Sequence, residues 1–182
     1  MNKTFRLMPR MLALTTVTFL SSAGHSQTAR PDAKLPDAVA KSFQAKFPQG
    51  KITELEVEDE NGVTIYDLEF KDEGIDKETD IAADGTMLEF SVAVAASAVP
   101  APALKAIRAA ADGATIERYE HAVISYETKD GKTVKLAEPR NEYEAEMAKG
   151  EQRGEITVAA DGKVIEPAKL FSVKGEKGKD DR

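Results

Sequence analysis

The tetrapeptide Ala-Ala-Asp-Gly occurs twice in this chain, at 82–85 and again 77 residues later at 159–162. Residues 78–89 align with 155–166 at that offset, and 35–53 align with 99–117 at an offset of 64. Self-similarity at this scale predicts two copies of one small structural unit. The second copy has thirteen more residues than the first, and all of them lie between Ile116 and Tyr143.

Each aligned segment begins with a helical pattern. Val39, Phe43 and Phe47 recur every four residues, which places them on one face of a helix that begins near Pro36. The second helix is expected to start at Pro100 or Pro102. After each helix the apolar spacing falls to two, which predicts strands.

Asx-Gly turns divide these strand segments. Asn61-Gly62 and Asp130-Gly131 each predict a hairpin, and the Ala-Ala-Asp-Gly turns predict a positive φ at Gly85 and Gly162. The predicted fold is therefore α+β: a tandem repeat of one helix packed on a four-stranded antiparallel meander sheet. The pattern leaves open whether the two sheets join into one larger sheet.

The first residues have the order of a secretory signal peptide. A basic segment precedes the ten-residue apolar run at 11–20, and small residues follow, so cleavage is expected after Ala23 or Ser26. Ten apolar residues are about half of the roughly 20 that a transmembrane helix needs. The sequence contains no cysteine and hence no lipidation site. We expect a periplasmic or secreted protein without membrane insertion.

The charge of the exported chain is strongly negative. The predicted signal holds three basic residues and no acidic ones, which leaves 22 Lys and Arg against 32 Asp and Glu, a formal charge of −10. Such a chain repels nucleic acid. Another exported protein is the expected partner.

Catalytic motifs are absent from the sequence. It has no cysteine, no G-x-S-x-G elbow, no H-E-x-x-H pair and no phosphate-binding glycine loop, and beyond the predicted signal it has the single histidine His121. We therefore expect no enzymatic activity and no cofactor.

A row of acids offers one alternative. Glu54, Glu56 and Glu58 are predicted to project from one face of a strand, about 7 Å apart. Clustered carboxylates are ligands for calcium. This stretch lacks the spacing of a calcium-binding loop, and a solvated sheet face is the other interpretation.

The extra residues of the second copy are the candidate partner-binding surface. Tyrosines exposed on a strand hairpin are typical of protein interfaces. The residues that we assign to this surface are Tyr119, Tyr126, Lys129, Asp130 and Lys132.

The first copy resembles the PepSY-like domains of exported bacterial proteins, which are also described as beta-lactamase-inhibitor-like (BLIP-like). The matching residues are Leu35, Pro36, Val39, Phe47, Pro48, Tyr66, Leu68, Phe70, Asp84 and Gly85. The second copy keeps Val99, Pro100, Tyr143, Asp161 and Gly162 but lacks the Phe-Pro pair. The resemblance implies a helix on a four-stranded sheet, in tandem, without catalytic residues.

Function follows from this resemblance as an expectation. It implies an exported, non-catalytic binding module that inhibits or regulates a periplasmic enzyme such as a peptidase; the alternative is an acidic, calcium-responsive or structural envelope protein. The expected organisation is a signal peptide at 1–26, a flexible linker at 27–34, PepSY-like repeats at 35–92 and 99–168, a linker at 93–98 and a disordered charged tail at 169–182.

Overall fold

A computed structural model describes residues 27–29 and 35–172. The predicted signal peptide, the rest of the first linker and residues 173–182 of the predicted tail lie outside the described residues. The elements in chain order are β1 (Gln27–Ala29), α1 (Asp37–Lys46), β2 (Lys51–Glu60), β3 (Val63–Asp72), β4 (Ile75–Ala82), β5 (Met87–Val94), α2 (Ala101–Ala110), β6 (Thr115–Lys129), β7 (Lys132–Lys149), β8 (Gln152–Ala159) and β9 (Val164–Ser172).

All nine strands form one antiparallel sheet, and their order in the sheet is their order in the chain. The predicted tandem repeat of one helix on a four-stranded sheet is therefore wrong. β5 pairs directly with β6, from Glu89 opposite Ile124 to Val94 opposite Tyr119, so neither strand is a free edge. This pairing satisfies backbone groups that two separate sheets would leave exposed.

Two segments expected to be outside the folded part belong to the sheet. Gln27–Ala29 pair with 55–57 of β2, and β9 continues to Ser172. Within the described residues there are two α-helices, and both pack on the same face of the sheet as two apolar clusters.

The cluster under α1 is aromatic. Val39 and Phe43 of the helix are buried, and the Phe70 ring of β3 lies 5.0 Å from Phe43 and 4.5 Å from Phe47, measured between ring centroids. The cluster under α2 uses smaller side chains such as Ala103 and Ile107. The four-residue spacing in the sequence thus predicts the buried face of α1 correctly.

Each Ala-Ala-Asp-Gly turn lies against the first turn of a helix. Gly85 has φ +89°, and a Cβ there would lie 2.9 Å from the carbonyl oxygen of Ala38. Gly162 has φ +86°, and its Cβ would lie 2.7 Å from the carbonyl oxygen of Pro102. The predicted positive φ is confirmed at both glycines, and close contact with a helix is a second reason for glycine there.

The sheet curls away from the helices. The β2–β3 turn and the β6–β7 turn are separated by two intervening strands, yet the Gly131 amide donates a hydrogen bond to the Asn61 carbonyl oxygen at 2.8 Å. The Asn61 Nδ2 donates to the Thr128 hydroxyl oxygen at 2.9 Å. On this inner side Tyr126 packs against Ile65 and its neighbours. The longer β6–β7 hairpin therefore closes one end of a concave surface.

Candidate functional site

The concave surface carries most of the buried carboxylates, and we call it the acidic face. Strand alternation points these side chains away from the helices. Its acidic residues on β2 to β7 are Glu54, Glu56, Glu58, Glu60, Asp67, Glu69, Asp76, Glu78, Asp80, Glu89, Glu120, Glu127, Glu142, Glu144 and Glu146.

Strand register aligns four of these carboxylates in one row. Glu56 lies opposite Asp67, Asp67 opposite Asp80, and Asp80 opposite Glu89, across four adjacent strands. Neighbouring strands are about 4.8 Å apart. Like charges directly opposite each other repel and destabilise a sheet, and a bound cation would reduce that repulsion.

The pKa values of this region reflect burial and mutual repulsion. Burial and the neighbouring charge of Asp80 raise the pKa of Glu58 to about 7. Burial, and then the charge of Glu54, raise the pKa of Glu69 to about 7 although Arg118 opposes the shift. The pKa of Asp67 is raised well above its ordinary value by burial, and next by Asp80. The charges that shift Asp67 are all carboxylates.

Two arginines form ion pairs with carboxylates on the β6 and β7 part of the acidic face. Arg118 contacts Glu120 through Nη2 and lies 3.6 Å from Glu146 through Nη1. Arg140 contacts Glu127 and Glu142. These two arginines lie on β6 and β7, whereas the four-carboxylate row lies on β2 to β5.

A pocket lies on the acidic face beside the two touching turns. It is a shallow recess with a cavity volume of about 50 Å³ and is open to solvent. Leu88, Ile124 and Tyr126 give it an apolar part, and Arg140 is its one basic residue. Its carboxylates come from six strands: Glu58, Glu60, Asp80, Glu89, Glu127, Glu142 and Glu166. A lining that combines apolar side chains with carboxylates suits the side chain of lysine or arginine, which has an apolar stem and a cationic end.

A tighter group lies at the centre of the row. Asp67, Glu78 and Asp80 each offer one carboxylate oxygen, and these oxygens all lie within 4.8 Å of one another. Among the described residues this is the one group of three or more acidic, histidine or cysteine side chains with such spacing.

Glu54, Glu56 and Glu58 share the acidic face, as their alternation in β2 predicts. Sequence reasoning missed Asp67, Glu78, Asp80 and Glu89, which the sheet register places beside them. A signal was present, because acids also alternate along β3 and β4. Only the pairing of β2 with β3, β3 with β4 and β4 with β5 shows that these acidic residues lie side by side.

The structure does not bring the predicted partner-binding residues together. Tyr119 packs against the apolar cluster under α2, on the helix side of the sheet, whereas Tyr126 lines the pocket on the opposite side. Lys129, Asp130 and Lys132 are exposed at the β6–β7 turn. Part of that turn is occupied by its contact with Asn61.

His121 has ordinary structural partners. Its ring stacks on Tyr143 at a centroid distance of 4.9 Å, and its Nε2 lies 2.8 Å from Asn141 Oδ1. The ring stacking and the hydrogen bond give His121 a structural role in the sheet. Neither helix in the described residues has the length and hydropathy needed to span a membrane.

Neither a family model nor a curated protein sequence matches this chain. Several solved structures do match it in fold. A presumed periplasmic protein from Bacteroides eggerthii is 13% identical with a TM-score of 0.53, over 78% of this chain and 91% of its own. A DUF2874 family protein from Bacteroides uniformis is 12% identical with a TM-score of 0.51, over 77% and 91%.

A BLIP-like protein from Bacteroides fragilis is 12% identical with a TM-score of 0.49, over 80% of this chain and 92% of its own. One of these three structures is described as BLIP-like, and none is described as PepSY-like. The first two likenesses indicate a shared fold. Function has to be argued from the acidic face itself.

Proposed function

We propose that this protein is an exported, non-catalytic binding module whose acidic face holds a basic segment of another protein. The observation that carries the proposal is the row of four directly opposed carboxylates, Glu56, Asp67, Asp80 and Glu89, beside an open pocket. A fold that maintains opposed like charges loses stability, and a cationic ligand offsets that loss.

The pocket favours a protein segment over a small ion as the main ligand. Leu88, Ile124 and Tyr126 offer apolar contact to the stem of a lysine or arginine, and a cation near the Tyr126 ring gains a further attraction. The surrounding carboxylates then accept hydrogen bonds from its charged end, and such charge-assisted bonds are among the stronger ones.

The expected export of the chain places this partner outside the cytoplasm. Inhibition of an exported enzyme, such as a peptidase, is one form of the same proposal. It requires that the basic segment of the enzyme lie at its active site, so that binding blocks access. Long-range attraction between opposite charges would also speed the encounter.

The test is binding of a fluorescently labelled lysine-rich peptide, followed by anisotropy at a pH about one unit above the pKa of Glu58. The pocket variant carries Glu58→Gln, Glu60→Gln and Glu166→Gln. We expect it to bind about tenfold more weakly, equivalent to about 1.4 kcal/mol.

The matched control carries Glu73→Gln, Glu138→Gln and Glu151→Gln, three exposed acids outside the pocket, so that the net charge is the same. We expect its affinity to stay close to that of the parent protein. Equal weakening in both variants would show that only net charge matters and would refute the proposal. Circular dichroism of each variant checks that the fold is retained.

A further inference from the structure

We propose that Asp67, Glu78 and Asp80 form a binding site for a divalent cation, and that calcium is its ligand. One carboxylate oxygen from each residue lies within 4.8 Å of the other two. At that limit an ion equidistant from the three oxygens would lie about 2.8 Å from each, so a shift of a few tenths of an ångström in the side chains brings all three to the roughly 2.3–2.6 Å of calcium–oxygen bonds. This site differs from the row of Glu54, Glu56 and Glu58 that the sequence suggests.

A second observation points to a missing ligand. The Oδ1 of Asp67 is enclosed, with less than 1 Å² exposed, and has no hydrogen-bond partner among the described residues. A carboxylate oxygen without a donor is costly to bury, and a cation would satisfy it.

The three side chains are held on rigid elements. Asp67 of β3 lies directly opposite Asp80 of β4, and Glu78 is two residues before Asp80 on the same face. β3 and β4 are interior strands of the sheet, each paired on both sides. Such positions hold ligands more accurately than loops do.

The donor set selects the class of metal. All three donors are carboxylate oxygens, which are ligands for hard cations such as calcium and magnesium, whereas zinc and copper sites use histidine or cysteine. Calcium accepts irregular oxygen ligation and bidentate carboxylates, whereas magnesium demands near-ideal octahedral geometry. Three carboxylates fixed by strand positions are therefore better suited to calcium, with water completing the shell.

The proposal goes beyond binding of a basic segment and is tested without one. Purified full-length protein is titrated with calcium chloride by isothermal calorimetry after treatment with a chelator, and magnesium chloride is titrated in parallel. We expect one calcium ion per chain and much weaker binding of magnesium.

Two variants identify the site. Asp67→Asn and Glu78→Gln each replace a charged carboxylate ligand by a neutral amide, and each should weaken calcium binding at least about tenfold. The matched control is Glu54→Gln, which removes one charge from the same face, as each ligand variant does, but leaves the three ligands and the carboxylate row in place. It should retain binding within about threefold, because only the general electrostatic attraction is reduced.

Three outcomes would overturn the proposal. The first is that the parent protein does not bind calcium. The second is that the control loses as much calcium affinity as the ligand variants, which would indicate diffuse electrostatic attraction. The third is that Asp67→Asn and Glu78→Gln both bind calcium as tightly as the parent protein. If one ligand variant fails to fold, the other still decides the result.

Discussion

Replacing Arg118 with methionine tests how the acidic face is stabilised. The guanidinium contacts Glu120 and Glu146, whose side chains are 3% and 7% exposed. Burial raises the pKa of Glu146 while Arg118 opposes that shift. Methionine keeps much of the apolar stem but removes the charge. The two carboxylates would then be buried without their cation.

The expected cost is large. Removing one partner of a buried ion pair destabilises a protein by about 3 to 5 kcal/mol. Because the Arg118 side chain is 28% exposed, water compensates part of the loss, and we expect about 3 kcal/mol at pH about 8. With a urea m-value of about 2 kcal/mol/M, the unfolding midpoint should fall by about 1.5 M.

The pH dependence makes the prediction specific. A carboxyl group with a raised pKa takes up a proton as pH falls, and a neutral Glu146 no longer requires a cation. The destabilisation by Arg118→Met should therefore shrink at pH about 5. Lys71→Met is the control, because Lys71 and its partner Asp76 are more than half exposed. It should change stability by no more than about 0.5 kcal/mol. A loss under about 1 kcal/mol for Arg118→Met, or one unchanged with pH, would refute this account.

Further predictions concern the fold and its titration. Glu58 and Glu69 have pKa values of about 7, whereas a glutamate ordinarily has a pKa of 4.5. Between these values the folded state binds more protons than the unfolded state, so the free energy of unfolding should fall as pH rises from about 5 to 8. After allowance for partial exposure, we expect a loss of about 1 to 2 kcal/mol per group. Urea midpoints in chelator should show this slope, and Glu58→Gln should reduce it. Gly162→Ala should cost at least about 2 kcal/mol in urea unfolding, because φ is +86° and the new Cβ would meet the Pro102 carbonyl oxygen; an unchanged midpoint would contradict this. Phe70→Ala should cost about 3 to 5 kcal/mol in the same assay, whereas truncation of exposed Val134 should cost little.

Local signals in the sequence predicted local structure well. α1 occupies Asp37–Lys46 and α2 occupies Ala101–Ala110, close to the prolines that mark their starts. The Asn61-Gly62 and Asp130-Gly131 turns have positive φ at both residues, as expected for tight hairpins.

Long-range pairing was not predictable in the same way. The segment between β5 and α2 is rich in alanine and valine, and nothing in that composition specifies that β5 pairs with β6. The extra β6–β7 residues suggested a partner-binding surface, but the contact of their turn with Asn61 was not predicted. The group of Asp67, Glu78 and Asp80 depends on the register of β3 against β4, which alternation alone does not fix.

The contact between the two hairpin turns gives the pocket a blind end. Asn61 and Gly131 meet across the concave surface, and Glu60, Tyr126 and Thr128 line the pocket next to them. The basic segment proposed above would therefore have to enter from elsewhere along the concave surface. Under that proposal, a protruding lysine or arginine on a loop or a chain terminus meets the requirement more readily than a continuous strand that would have to run through the joined turns.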